Sequence, residues 1–111
     1  MKINRVPLLT AMLATRNDID RVEVKRIDFA PLQKTGVHFH PCPVIGYIAK
    51  GLIYFQIEGE EAKILKEGTA FFEPANKKVL HFDNLSEKDG VSFIAVYLLK
   101  KDDKELIKML E

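Results

Sequence analysis

Only one cysteine, Cys42, stands in the chain, which excludes an intramolecular disulfide and a thiolate zinc cluster. Charge of one sign is equally scarce: 17 Lys+Arg against 16 Asp+Glu leave a formal +1. A nucleic-acid binder driven by counterion release needs a basic surplus that is missing here. No apolar run approaches the roughly 20 residues that span a bilayer. Glycine-rich phosphate loops, nucleophile elbows and paired catalytic carboxylates are also absent. The apolar stretch at 6–14, behind Lys2 and Arg5, faintly imitates an export signal, but Pro7 and Thr10 dilute it and no Ala-x-Ala cleavage pattern is present. The expectation is a cytoplasmic chain that engages neither nucleic acid nor membrane.

What is present fits one core. A chain of 111 residues, 47% of them hydrophobic, is too short for two. Gly36, Pro41, Pro43, Gly51, Gly59, Gly68, Pro74 and Asp89-Gly90 separate short apolar runs, the spacing of an all-β sandwich or barrel. Residues 52–58 are rich in β-branched and aromatic types, and Glu58-Gly59-Glu60-Glu61 turns them back into 62–66 as a hairpin. Glu67-Gly68 turns again into 69–73, which Pro74 stops. Alternation at 22–25 changes phase at 26–29, which predicts a bulge or a change of exposed face.

Stretches 44–49 and 91–99 are apolar at nearly every position, so both their faces need cover. The N-terminal segment, a C-terminal helix or a second copy can supply it, and a homodimer is the preferred expectation. Asp102 and Glu105 have capping-box spacing, and Leu106, Ile107 and Leu110 then share a helical face, predicting a short helix over 102–111. The expected layout is an arm at 1–21, a β core at about 22–99 and that helix.

Two of the three histidines, His38 and His40, are spaced i and i+2. On a strand such side chains leave one face about 6.5–7 Å apart, close enough to converge on one ion. The third, His81, lies in another strand-like stretch beyond the hairpin and the proline turn.

In this order the residues resemble the cupin superfamily. Its first motif is carried by Gly36, His38, His40 and Gly51, and its second by Gly68, Pro74, His81 and Asn84. The resemblance covers about 22–99 and implies a small double-stranded β-helix, a jelly-roll barrel of the RmlC-like kind. It also implies one divalent ion (Fe, Mn, Ni, Cu or Zn) held by His38, His40 and His81. The position where cupins usually place a glutamate ligand is Val44, and the second-motif glycine is Asn76, which tolerates positive φ. The pieces His-x-His-Pro, Gly-Tyr-Ile and Phe-Phe-Glu-Pro resemble small single-domain cupins that also lack that glutamate.

Three neutral imidazoles leave a divalent ion its full charge and open positions, which suits a small chelating substrate rich in oxygen. Val44, Gly46 and Ile48 share one strand face and are expected to wall the substrate pocket. Glu73, at a strand end, is the candidate catalytic base or imidazole-orienting partner, with a solvated carboxylate as the plainer alternative. Cys42 reads more simply as a small core residue than as a ligand. The functional expectation is a metal-dependent enzyme of the dioxygenase type. The rival is a non-catalytic module of the same fold that binds or senses a small molecule, since one fold hosts many functions.

Overall fold

The computed structural model describes residues 3–13 and 18–110. Both ends of the signal-like stretch and the last residue of the expected C-terminal helix lie outside these. Among the described residues the chain is all β: β1 (Arg21–Phe29), β2 (His38–Phe39), β3 (Val44–Lys50), β4 (Ile53–Ile57), β5 (Lys63–Leu65), β6 (Ala70–Glu73), β7 (Val79–Asp83), β8 (Val91–Leu99) and β9 (Lys108–Met109). They form two antiparallel sheets, one in the order β1-β8-β3-β6 and one in the order β5-β4-β7-β2-β9. The turns at Gly59 and Gly68 take φ of 87°, which glycine adopts without steric cost.

Register decides what faces inward. On the four-stranded sheet, Glu23, Tyr97, Val44 and Glu73 form one cross-strand row, and Lys25, Ala95, Gly46 and Phe71 form the next. Beyond them come Ile27, Phe93 and Ile48. Away from Lys25 at the β1 edge, the inner face therefore runs from a polar row to apolar ones. Phe71 and Phe93 meet Phe55 and Phe82 of the facing sheet, and Phe93 meets Phe29 of its own, in tilted and edge-on contacts, with Phe82 and Phe93 centroids 4.8 Å apart. These rings fill the core with Ile48, Ile53 and Leu99, each fully buried. Cys42 is likewise fully buried, in keeping with a core role.

The phase change in β1 brings no change of exposed face, which corrects that expectation: Val22, Val24, Arg26 and Asp28 are all exposed on one side, and the half-buried Glu23, Ile27 and Phe29 lie on the other. The pairing of β1 with β8 is unbroken from Arg21↔Leu99 to Phe29↔Val91, so no bulge forms. Val22 and Val24 point outward and stay exposed, while Ile27 and Phe29 pack against the core.

Part of the cover for the four-stranded sheet comes from the chain itself. The N-terminal arm lies against its outer face, where Val6, Leu8 and Leu9 line a groove of about 410 Å³ together with Ile45, Tyr47, Ile94 and Val96. The expected helix over 102–111 is corrected, because no helix forms over the described residues of that stretch. Asp103 turns the chain instead, its carboxylate accepting from the Lys100 N–H at 2.8 Å and its own N–H donating to the Lys100 carbonyl at 3.1 Å. Further along, the segment supplies β9, which pairs His38↔Met109 and Phe39↔Lys108. So short a segment gains little from an isolated helix, whereas β2 offers unpaired backbone groups along its edge. Leu106 packs on the core.

Candidate metal centre

His38 lies on β2 and His40 just past its end, and the period of two sends both rings inward, 5.0 Å apart. Both residues are buried. The Nδ1 of each is fixed by a backbone carbonyl, Gly36 for His38 and Leu106 for His40, each at 2.7 Å. With Nδ1–H donating in that way, each Nε2 is left to face a ligand. The Leu106 contact comes from the C-terminal segment that was expected to be helical.

The third group is Glu73, 3% exposed, whose Oε1 lies 2.8 Å from His40 Nε2. Ligand atoms of His38, His40 and Glu73 all lie within 4.8 Å of one another. Two imidazole nitrogens and one carboxylate oxygen, with the imidazoles oriented from behind, suit a divalent transition ion. Bound there, the ion would keep one net positive charge, where three imidazoles would leave it two.

His81 does not join this group, which corrects its expected role as a ligand. β4 pairs with β7 as Phe55↔Phe82 and Gln56↔His81, but the next pair is Ile57↔Val79. Leu80 is the extra residue of a β-bulge, and one inserted residue reverses the facing of the strand beyond it. Phe82 thus points into the cavity and His81 points out. The His81 side chain is 44% exposed, its Nδ1 is 3.0 Å from Asp83 Oδ2, and its ring lies 5.2 Å from that of Tyr54. The lengthened turn before it is closed by Asn76 at φ 65°, whose N–H donates to the His40 carbonyl at 2.8 Å.

Glu73 reaches the histidine pair by register. It pairs directly with Val44 across β3 and β6, so its carboxylate enters from the neighbouring strand near the place where cupins usually carry their glutamate. Nothing in the sequence states that register. The nearest sequence signal is the spacing of Phe71 and Glu73, which puts both on the inner face once Phe71 is taken as core.

A cavity of about 220 Å³ adjoins the group, lined by Ile27, Phe29, Thr35, His38, His40, Val44, Phe71, Glu73, Phe82, Phe93, Ala95, Tyr97 and Ile107. Of the expected wall, only Val44 lines it. A Cβ on Gly46 would fall inside the Phe71 ring, so the close approach that this glycine permits is made by that ring. Ile48 is buried in the core behind it.

Electrostatics divides the two imidazoles. Burial pushes His38 below its ordinary pKa, the nearby His40 adding to that effect. Burial acts downward on His40 too, but the hydrogen bond and charge of Glu73, with the Leu106 carbonyl, outweigh it and hold His40 above its ordinary value. Glu73 therefore favours the protonated form of His40, and any proton the pair holds competes with a metal ion for the same nitrogen. Burial, and next the charge of Glu73, push the Tyr97 hydroxyl up to about 12, so it remains a donor at neutral pH.

No family model matches the sequence, and no curated protein matches it. Solved structures do. A cupin-like protein of Thermotoga maritima is 24% identical with a TM-score of 0.67, covering 80% of this chain and 64% of its own. Oxalate oxidase in complex with the substrate analogue glycolate is 22% identical with a TM-score of 0.66, covering 80% of this chain and 46% of its own. The DMSP lyase DddQ from Ruegeria pomeroyi is 15% identical with a TM-score of 0.66, covering 79% of this chain and 42% of its own. The chain thus spans less than two thirds of the length of each. The two antiparallel sheets of this chain, matched by these neighbours at TM-scores of 0.66–0.67, give it the cupin fold.

Proposed function

We propose that the protein is a metal-dependent enzyme of the dioxygenase type, acting on a small oxygen-bearing substrate that chelates one divalent ion. The observation that carries this reading is the convergence of two imidazoles and a carboxylate at the polar end of an otherwise apolar cavity. That ligand set, with positions left open, is the arrangement suited to non-haem Fe(II), although Mn, Ni, Cu and Zn also accept imidazole. A bound ion supplies a Lewis-acidic centre with adjacent sites for substrate and O₂. The chain's own groups hold it: the Gly36 and Leu106 carbonyls orient the rings, and Glu73 adds the single negative charge. Two of the structural neighbours, oxalate oxidase and the DMSP lyase, are enzymes by name, which supports catalysis on this fold.

Oxygen uptake tests the reading. Iron-loaded protein is expected to consume O₂ with at least one member of a panel of diketones, thiols and phenols. Stoichiometric iron without uptake on any of them favours a non-catalytic binding module instead.

We propose further that two copies pair through the outer face of the four-stranded sheet. Val22 and Val24 remain exposed there, and the arm covering the rest of that face leaves Val6 and Leu8 more than half exposed. Sedimentation equilibrium should return twice the chain mass, and Val24→Glu should return it once. A monomer at all concentrations rejects the pairing.

A further inference from the structure

The side chains around the cavity are sharply divided. Phe29, Phe71, Phe82 and Phe93 form its apolar body, joined by Val44 and Ala95. The polar groups without a fixed structural use are the metal group and Tyr97, because the Thr35 hydroxyl already donates to the Phe82 carbonyl at 3.1 Å. Tyr97 is 6% exposed, lines the cavity and stands 6.0 Å from the His40 ring, yet no described residue hydrogen-bonds its hydroxyl. In the cross-strand row Tyr97–Val44–Glu73, the small Val44 leaves space between a phenol on one side and a carboxylate on the other. A hydroxyl facing an apolar cavity without a partner loses hydrogen-bond energy that a ligand acceptor would restore.

We propose that this cavity takes a small aryl compound bearing one oxygen acceptor, a carbonyl or carboxylate, with its ring among the phenylalanines and its oxygen on the Tyr97 hydroxyl. The ligand class refines the site proposed above and rests on that reading. Size limits it: 220 Å³ is below the range of drug-sized pockets, while dry apolar cavities of about 150 Å³ accept benzene. A small polar acid with no hydrophobic body would leave the phenylalanine wall unfilled. Tyr97 is in this account a positioning residue, one that fixes the oxygen beside the metal group.

The test separates ring from oxygen in metal-free protein, using acetophenone, acetone and toluene in calorimetric and NMR titrations. Acetophenone should bind at least about tenfold more tightly than acetone, as burial of a phenyl group requires. Tyr97→Phe should weaken acetophenone about five- to tenfold and leave toluene unchanged, the value of one hydrogen bond. A merely structural role for Tyr97 would change both ligands together. Equal affinity for acetone and acetophenone, no saturable binding of either aryl compound, or equal weakening of acetophenone and toluene overturns the inference. A separate zinc titration keeps the two ideas apart: failure to take up zinc rejects the metal reading, whereas zinc uptake without aryl binding rejects only the ligand class.

Discussion

Glu73→Gln is expected to lower metal affinity by more than the roughly 10–100-fold that even outer partners of a metal site contribute, while His81→Ala leaves it unchanged. The amide keeps the shape of Glu73 and its place opposite Val44 but removes the charge, so a lost affinity reports ligation and not folding. His81 can be truncated without touching the metal group because its ring meets Asp83 and Tyr54 on the outer side of β7. A second arm uses the register. Glu73→Val should abolish uptake, and Val44→Glu in that background should restore much of it, because the two positions face each other across the ladder. Isothermal titration with zinc reads both arms. Full affinity in Glu73→Gln, or a tenfold loss in His81→Ala, would remove the basis of the site assigned here.

The second large effect is on stability. Gly46→Ala is expected to destabilise the fold by about 3 kcal/mol, the upper part of the range for overpacking a core. An added methyl group would have to displace the Phe71 ring, which is 4% exposed and held against Phe55, Phe82 and Phe93. The backbone at Gly46 pairs on both sides, with Phe71 and with Ala95, so the strand has no freedom to retreat. In thermal melts the loss corresponds to a midpoint roughly 10 °C lower. Phe71→Leu should recover part of it in the double variant, a coupling expected of residues in contact. A Gly46→Ala melt within about 1 °C of the wild type contradicts the packing described.

Particular residues show where sequence reasoning reaches and where it stops. Strands β3, β4 and β8 are legible because β-branched and aromatic runs are bounded by Gly51, Gly59 and Gly90, and the His38/His40 pair follows from the period of two alone. His81 shows the limit of that rule. Its facing depends on a single bulged residue, Leu80, and no local pattern in Val79-Leu80-His81-Phe82 announces a bulge. Glu73 is legible in the sequence as a strand-end carboxylate that is a candidate base or imidazole-orienting partner, but not as a candidate ligand, because that depends on pairing with Val44, a contact between distant parts of the chain. The C-terminal segment has the caps and spacing of a helix but too little length, and tertiary pairing with β2 outweighs local preference. The need for cover over the four-stranded sheet is readable in its apolar strands, and the arm meets part of it.

X-ray absorption at the metal edge of zinc-loaded protein tests the central assignment most directly. Two imidazole nitrogens and one carboxylate oxygen among the ligands, in a spectrum unaltered by His81→Ala, are the predicted result. Three imidazoles, with a spectrum that changes when His81 is removed, would contradict it.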